Sequence, residues 1–332
     1  MLRPEYIEAI ETRLKWAKSL EKRNAFERWH DEFPEETFMA YRYALNTGDL
    51  FVVTKPFCDI VTTAAKNLPD SLMFESKWMQ APQGWCYLAT PFLLPQLKDM
   101  EKKRIRMAYG MEDKEVHPPR LWLRAFHWDY IPEGPRKGQW QVLIFGDVQH
   151  VDAHGERVNG GSMTLFPEGF FPLSYMSFKE AETCGEKVER FEHVSTHKEI
   201  QFGSGNYVEG DDSWRHEIRW VYAALHLMAQ KIATNLIEPT DRHTRRRAER
   251  EGQTAPPYIK VVTLRRLEQD RKKDPSGEAP DWKWQWVVEG HWRHQFYPSE
   301  GVHRDIFIER FIKGPPDKPL KDPGIKLFSA SR

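Results

Sequence analysis

Imidazole and guanidinium groups crowd the run at residues 290–304, GHWRHQFYPSEGVHR, which holds His291, Arg293, His303 and Arg304. Imidazole changes charge between about pH 5 and pH 8, so it can take or give a proton near neutrality, and a guanidinium stabilises charge on a phosphate. These residue types suit metal-independent cleavage of a phosphodiester, with His291 or His303 as base and Arg293, Arg304 or Lys313 holding the phosphate. A second cationic group precedes them: Arg242, Arg245, Arg246, Arg247 and Arg250 stand in DRHTRRRAEREG at residues 241–252. Phosphate backbones favour such a surface because arginine displaces condensed counterions. Glu249 and Glu251 offer the competing arrangement, a solvated helix that pairs its own charges. Tyr297 and Phe307 supply rings able to stack on bases, whereas Trp284 and Trp286 fit a core better than a platform.

Two kinds of element must position these groups. Trp282, Trp284, Trp286 and Val288 alternate with polar neighbours, which predicts a half-buried strand, and Gly290 marks a bulge or a close backbone approach. Beyond it His291, Arg293, Gln295 and Tyr297 share one face, and Trp292, His294 and Phe296 the other. Pro298, Ser299, Glu300 and Gly301 carry turn chemistry, so a hairpin returns through residues 302–313. The hairpin is expected to bring His291, Arg293 and Gln295 close to His303 or Arg304. The arginine run reads as a helix begun by Thr240 or Asp241 and closed by Gly252. Before it, a long helix capped by Asp211 or Asp212 is expected, with Ile218, Val221, Leu225, Met228, Ile232 and Leu236 on one stripe and Pro239 at its end.

Upstream, Ile7, Ile10, Leu14, Ala17 and Leu20 recur at helical spacing from Pro4 towards His30, and a second helix is expected at 34–45. LFVVT at 50–54 reads as a short strand, followed by a helix at 57–67. Further strands fall at 71–75 and 84–94, where Pro91 suggests an edge or irregular segment. The run at 97–109, rich in Lys, Glu and Met, reads as either a charged helix or a mobile excursion. The best central strands are 121–130 and 140–145, and 259–266 forms another. The fold class is therefore α+β: N-terminal helices, a central antiparallel β core, and a C-terminal core helix plus β-hairpin. The expected divisions are 1–110, 111–210, 211–314 and a Pro-rich tail at 315–332.

At 332 residues the chain can bury a large core without covalent staples, and its three cysteines, Cys58, Cys86 and Cys184, form no C-x-x-C pair. That pattern suits a reducing cytoplasm. No stretch reads as a signal peptide or membrane span, so a membrane partner is not expected. His150 with His154, and His193 with His197, have the spacing of a helical metal pair, but Gly155, Gly160 and Gly161 favour a loop at the first pair and no HExxH occurs. No metal or other cofactor is expected, since Walker-type, GxGxxG and GxSxG patterns are also missing. Net charge is zero, yet residues 240–332 hold 20 Lys and Arg against 14 Asp and Glu, leaving 29 against 35 elsewhere. The positive C-terminal part points to an anionic partner.

ALHLMAQ at 224–230, RRRAEREG at 245–252, VVTLRR at 261–266, GHWRHQFYPSEGVHR at 290–304 and IKGP at 312–315 resemble a family of uncharacterised proteins from actinobacteria, their plasmids and their phages. FVVTKPFCDIVTTAAKNLP and APQGWCY in the N-terminal part resemble the same proteins. The chain departs from that pattern at Glu289, where Arg precedes the Gly-His-Trp-Arg run, at His294, where Asn stands, and at Phe307 to Arg310, where Trp-Ile-x-Pro stands. The resemblance implies a phage or mobile-element setting, with a host-cell cytoplasm as location. It brings no assigned activity. Three uses of the chemistry stay open: a nucleic-acid-binding accessory protein acting on DNA or RNA, a metal-independent nuclease of RNase-toxin type, or a host-interfering factor that binds protein without catalysis. The tail, GPPDKPLKDPG, would suit the last.

Overall fold

Leu50, Phe51, Val52 and Val53 show no polar alternation, and such a run forms a strand covered on both sides. In the computed structural model they belong to β1 (Asp49–Val53), and all four are at most 1 % exposed. The structure describes residues 2–21, 45–93, 120–133, 137–149, 170–183, 192–193, 216–265, 283–315 and 318–320. They fall into two units, Met1–Arg265 and Arg266–Arg332.

The first unit is built on an eight-stranded sheet. Around β1 it contains α1 (Pro4–Glu21), α2 (Lys55–Lys66), β2 (Gln83–Leu93), β3 (Arg120–Tyr130), β4 (Trp140–Gln149), β5 (Phe170–Phe178), β6 (Glu192–His193), α3 (His216–Met228), β7 (Ala233–Pro239), α4 (Arg242–Arg250) and β8 (Tyr258–Leu264). The strand order is β6-β5-β4-β3-β2-β1-β8-β7. The fold is α+β. From β2 to β6 every pairing is antiparallel, as is β7 with β8, but β1 runs parallel to both β2 and β8. A parallel pair needs a crossover, and α2 supplies it between β1 and β2.

Pro91 lies in a central strand, β2, and falls in an irregular stretch of it, the second of the two expected alternatives. Pairing with β1 ends at Leu88, and the register with β3 shifts between Tyr87 and Phe92, so the residue that cannot donate falls where β2 has outrun its neighbour. The long helix expected up to Leu236 is corrected. It stops at Met228, and residues 233–239 pair with β8 as an antiparallel strand. Ile232 is buried, but Leu236 is exposed, because the open edge of β8 recruits this stretch as a strand.

Helices cover both faces of the sheet. On one, α2 and α3 meet, and Trp220 Nε1 donates to Thr62 Oγ1 at 3.0 Å. On the other, Tyr6, Ala9, Ile10 and Ala17 of α1 and Ala248 of α4 pack with Leu50, Val52, Trp85, Tyr87, Phe145 and Val261.

The second unit contains β9 (Trp286–Val288), β10 (His291–Tyr297), β11 (Val302–Ile308) and β12 (Phe311–Lys313). The expected hairpin forms between β10 and β11, and β9 pairs antiparallel with β12. Its turn closes where Gly301 N–H donates to Tyr297 O at 2.9 Å, and Gly301 takes a φ of 67°, which glycine adopts without strain. Gly290 is a close approach: a Cβ there would meet Phe307 Cζ at 2.8 Å. The residues expected as one block at 211–314 contribute to both units, α3 and α4 to the first and the hairpin to the second. The expected helix at 34–45, apart from its last residue, lies outside the described residues, as do the charged run at 97–109, His150, His154, His197, and the tail beyond residue 320.

Candidate functional site

The arginine helix is short and firmly started. Asp241 caps α4 by accepting from Thr244 N–H at 3.0 Å, and that bond holds its carboxyl below the usual range. Thr244 and Ala248 turn inward, which leaves Arg242, Arg245, Arg246, Arg247 and Arg250 all exposed. Arg247 pairs with Glu11 of α1, and with Glu251 at 3.8 Å. Arg250 Nε donates to Arg246 O at 3.3 Å. Among the described residues, no carboxylate lies within salt-bridge distance of Arg242, Arg245 or Arg246. Self-pairing of the helix is confined to Arg247.

The hairpin register sorts the other candidates. His291 stands opposite Ile308, Arg293 opposite Ile306, Gln295 opposite Arg304 and Tyr297 opposite Val302, and these share one face. Trp292, His294 and Phe296 stand opposite Phe307, Asp305 and His303 on the other. The expected group of four is therefore divided: His291, Arg293 and Arg304 share a face, and His303 lies on the reverse. On the first face His291 Nδ1 is 2.9 Å from Glu289 O. Arg304 is committed to Glu300 and lies 5.5 Å over the Tyr297 ring, so one side of that candidate stacking surface is covered. Lys313, on β12, sits 5.9 Å over Trp286. Arg293 is exposed and has no ion pair among the described residues.

The reverse face holds the denser chemistry. His294 Nδ1 is 2.7 Å from Asp305 Oδ1, and its ring lies parallel to that of His303 at 4.7 Å between centroids. Phe296 also packs on His303, 4.8 Å away at 42°. Trp292 and Phe307 close the row at 5.4 Å. Sequence reading grouped His303 with His291 and overlooked His294 and Asp305. The signal was available: counting outward from the turn at 298–301, one residue per strand, sets His294 against Asp305 and Phe296 against His303.

A third polar group is buried beneath α1. Arg13, 3 % exposed, donates from Nε to Leu45 O at 2.5 Å, and Gln141 Nε2 donates to Asp129 Oδ2 at 2.6 Å. His127 Nδ1 lies 3.8 Å from Asp129 Oδ1. Burial, aided by the Arg13 guanidinium, pushes His127 down to about 3, whereas burial pushes Asp129 up to about 7 against the opposing bond from Gln141. Arg13 itself is lowered to about 10 by burial, with Asp49 opposing. These groups are buried and offer no exposed reacting atom.

Among the described residues, no three His, Cys, Asp or Glu side chains converge to hold a metal, and no helix is long and apolar enough to cross a membrane. No protein-family model, no curated protein and no solved structure matches the chain.

Proposed function

We propose that the protein binds nucleic acid through backbone phosphates, with α4 as the binding element. The observation that carries this reading is the set Arg242, Arg245 and Arg246, exposed on one capped helix without a carboxylate partner among the described residues. A solvated helix of neutral purpose would gain from pairing its charges, and Glu249 and Glu251 stand in or beside it, yet only Arg247 is so engaged. Arg247 instead anchors the helix to Glu11, which presents its neighbours on a fixed surface. Phosphates need neither a groove nor a sequence to be held this way. The resemblance to actinobacterial plasmid and phage proteins supplies the setting, an accessory protein acting on DNA or RNA in a host cytoplasm.

The test is binding of labelled DNA and RNA, followed by gel shift across a salt series, for the protein and the triple variant Arg242→Gln, Arg245→Gln, Arg246→Gln. The parent should lose affinity linearly in log salt. The variant should bind at least about tenfold more weakly, with a slope for duplex DNA shallower by about 0.9 for each phosphate it no longer neutralises. Equal affinity and slope would remove α4 from the interface. No shift at all, with a host protein retained on the purified chain, would favour a protein-binding factor.

A further inference from the structure

We propose that His294 and His303 form the acid–base couple of an RNA-cleaving site on the reverse face of the β10–β11 hairpin, with Asp305 as a positioning residue. The proposal rests on the nucleic-acid reading above, and goes beyond it in naming a substrate and a reaction.

The geometry assigns distinct roles to the two imidazoles. An ionised carboxylate only accepts hydrogen bonds, so the 2.7 Å approach of Asp305 Oδ1 to His294 Nδ1 places a proton on Nδ1. His294 Nε2 then carries the lone pair of a base. The His294 side chain is 64 % exposed while that of Asp305 is 16 % exposed, so the partner that orients is tucked in and the group that reacts reaches water. His303 lies parallel to it at 4.7 Å, close enough for both rings to serve one phosphodiester. Phe296, 44 % exposed, flanks His303 and offers a ring on which a base can stack. The three rings form a row along one hairpin face because His294 and Phe296 are two residues apart on β10 and His303 stands opposite Phe296 on β11.

RNA is the substrate that such a couple can cleave unaided, since its ribose 2′-hydroxyl is a nucleophile already beside the phosphorus. His294 Nε2 takes the 2′-hydroxyl proton as O2′ bonds to phosphorus. The P–O5′ bond breaks, and protonated His303 gives its proton to the departing 5′ oxygen. The products are a 2′,3′-cyclic phosphate and a 5′-hydroxyl end. The couple emerges with its protons exchanged, and solvent resets it. No water, metal or oxidant is consumed.

The test uses the full-length protein, two oligonucleotides that differ only by one 2′-hydroxyl in an otherwise deoxy strand, and chelator in the buffer. Cleavage should occur only at the single ribonucleotide and leave a cyclic phosphate. His294→Ala and His303→Ala should each lower the rate by about 10²–10⁴-fold, the range for loss of a general acid or base. Asp305→Asn should lower it less and move the acidic limb of a bell-shaped pH–rate profile. Circular dichroism and RNA gel shift run beside each variant, and the deoxy control on the parent protein does not depend on any variant folding. If RNA is bound but not cut, this proposal fails and the binding reading stands. If RNA is neither bound nor cut, this proposal fails, and the binding reading fails with it only if DNA is not bound either. Cleavage that persists unchanged in either histidine variant would also overturn the assignment.

Discussion

Burial of Asp129 and His127 side by side favours the uncharged form of each, and their responses to pH oppose each other. For His127 the ordinary value of 6.5 falls to about 3 on folding, so the unfolded chain binds the extra proton and stability rises with pH between those values. For Asp129 the ordinary value of 3.8 rises to about 7, so the folded chain binds the extra proton and stability falls across that interval. Between about pH 4 and pH 6 the two contributions cancel. Asp129→Asn keeps an acceptor for Gln141 and removes only the falling contribution. The variant's stability should climb by about 1.4 kcal/mol per pH unit over that range, read from urea midpoints, where the parent stays nearly level. A flat variant would show that His127 titrates normally. Arg13 stands three residues after Ile10 and four before Ala17, so spacing alone could place it on the buried stripe of α1, but its charge makes the neighbouring Leu14 the natural choice there. What no pattern could disclose is that β3 and β4 would meet with Asp129 opposite Gln141, because cross-strand register is a property of the folded pair.

At the scale of elements, turn chemistry and alternation located the hairpin. Gly290 was read as a bulge or a close approach, and it is the second: the Phe307 ring occupies the space a side chain would need. Gly290→Ala should cost about 1–3 kcal/mol, because Phe307 is 5 % exposed and has little room to yield. Native-state hydrogen exchange should show faster exchange at the β10 and β11 amides, with the eight-stranded sheet unchanged. Unaltered protection in the hairpin would mean that Phe307 can swing aside at no cost. The boundary between α3 and β7 was not legible. Ile232 and Leu236 continue a helical stripe on paper, but pairing with β8 overrides that local pattern and makes residues 233–239 a strand. Likewise LFVVT marks the strand that becomes β1, while its parallel pairing depends on residues at the far end of the same unit, beyond the reach of any local pattern.

Across the whole molecule, the sheet of the first unit draws on almost the full length of that unit. β8 supplies the neighbour of β1, with Val52 against Val261, and Thr54 Oγ1 donates to Thr263 Oγ1 at 3.2 Å across a separation of 209 residues. A chain ended at residue 254 lacks that neighbour and leaves one edge of a strand composed of Leu50, Phe51, Val52 and Val53 unpaired. Such an apolar edge invites pairing with other chains. The truncated chain should appear in the insoluble fraction, while a chain ended at 265 should stay soluble. Equal solubility of the two would show that β1 needs only β2. The same parallel seam sets a timetable for synthesis. A ribosome adding about 5–20 residues per second delivers β1 and β2 early and β8 about 10–40 seconds later. During that interval the growing chain carries its most apolar strand with one side open, so the seam that completes the finished sheet is also the place where a nascent chain most needs a chaperone.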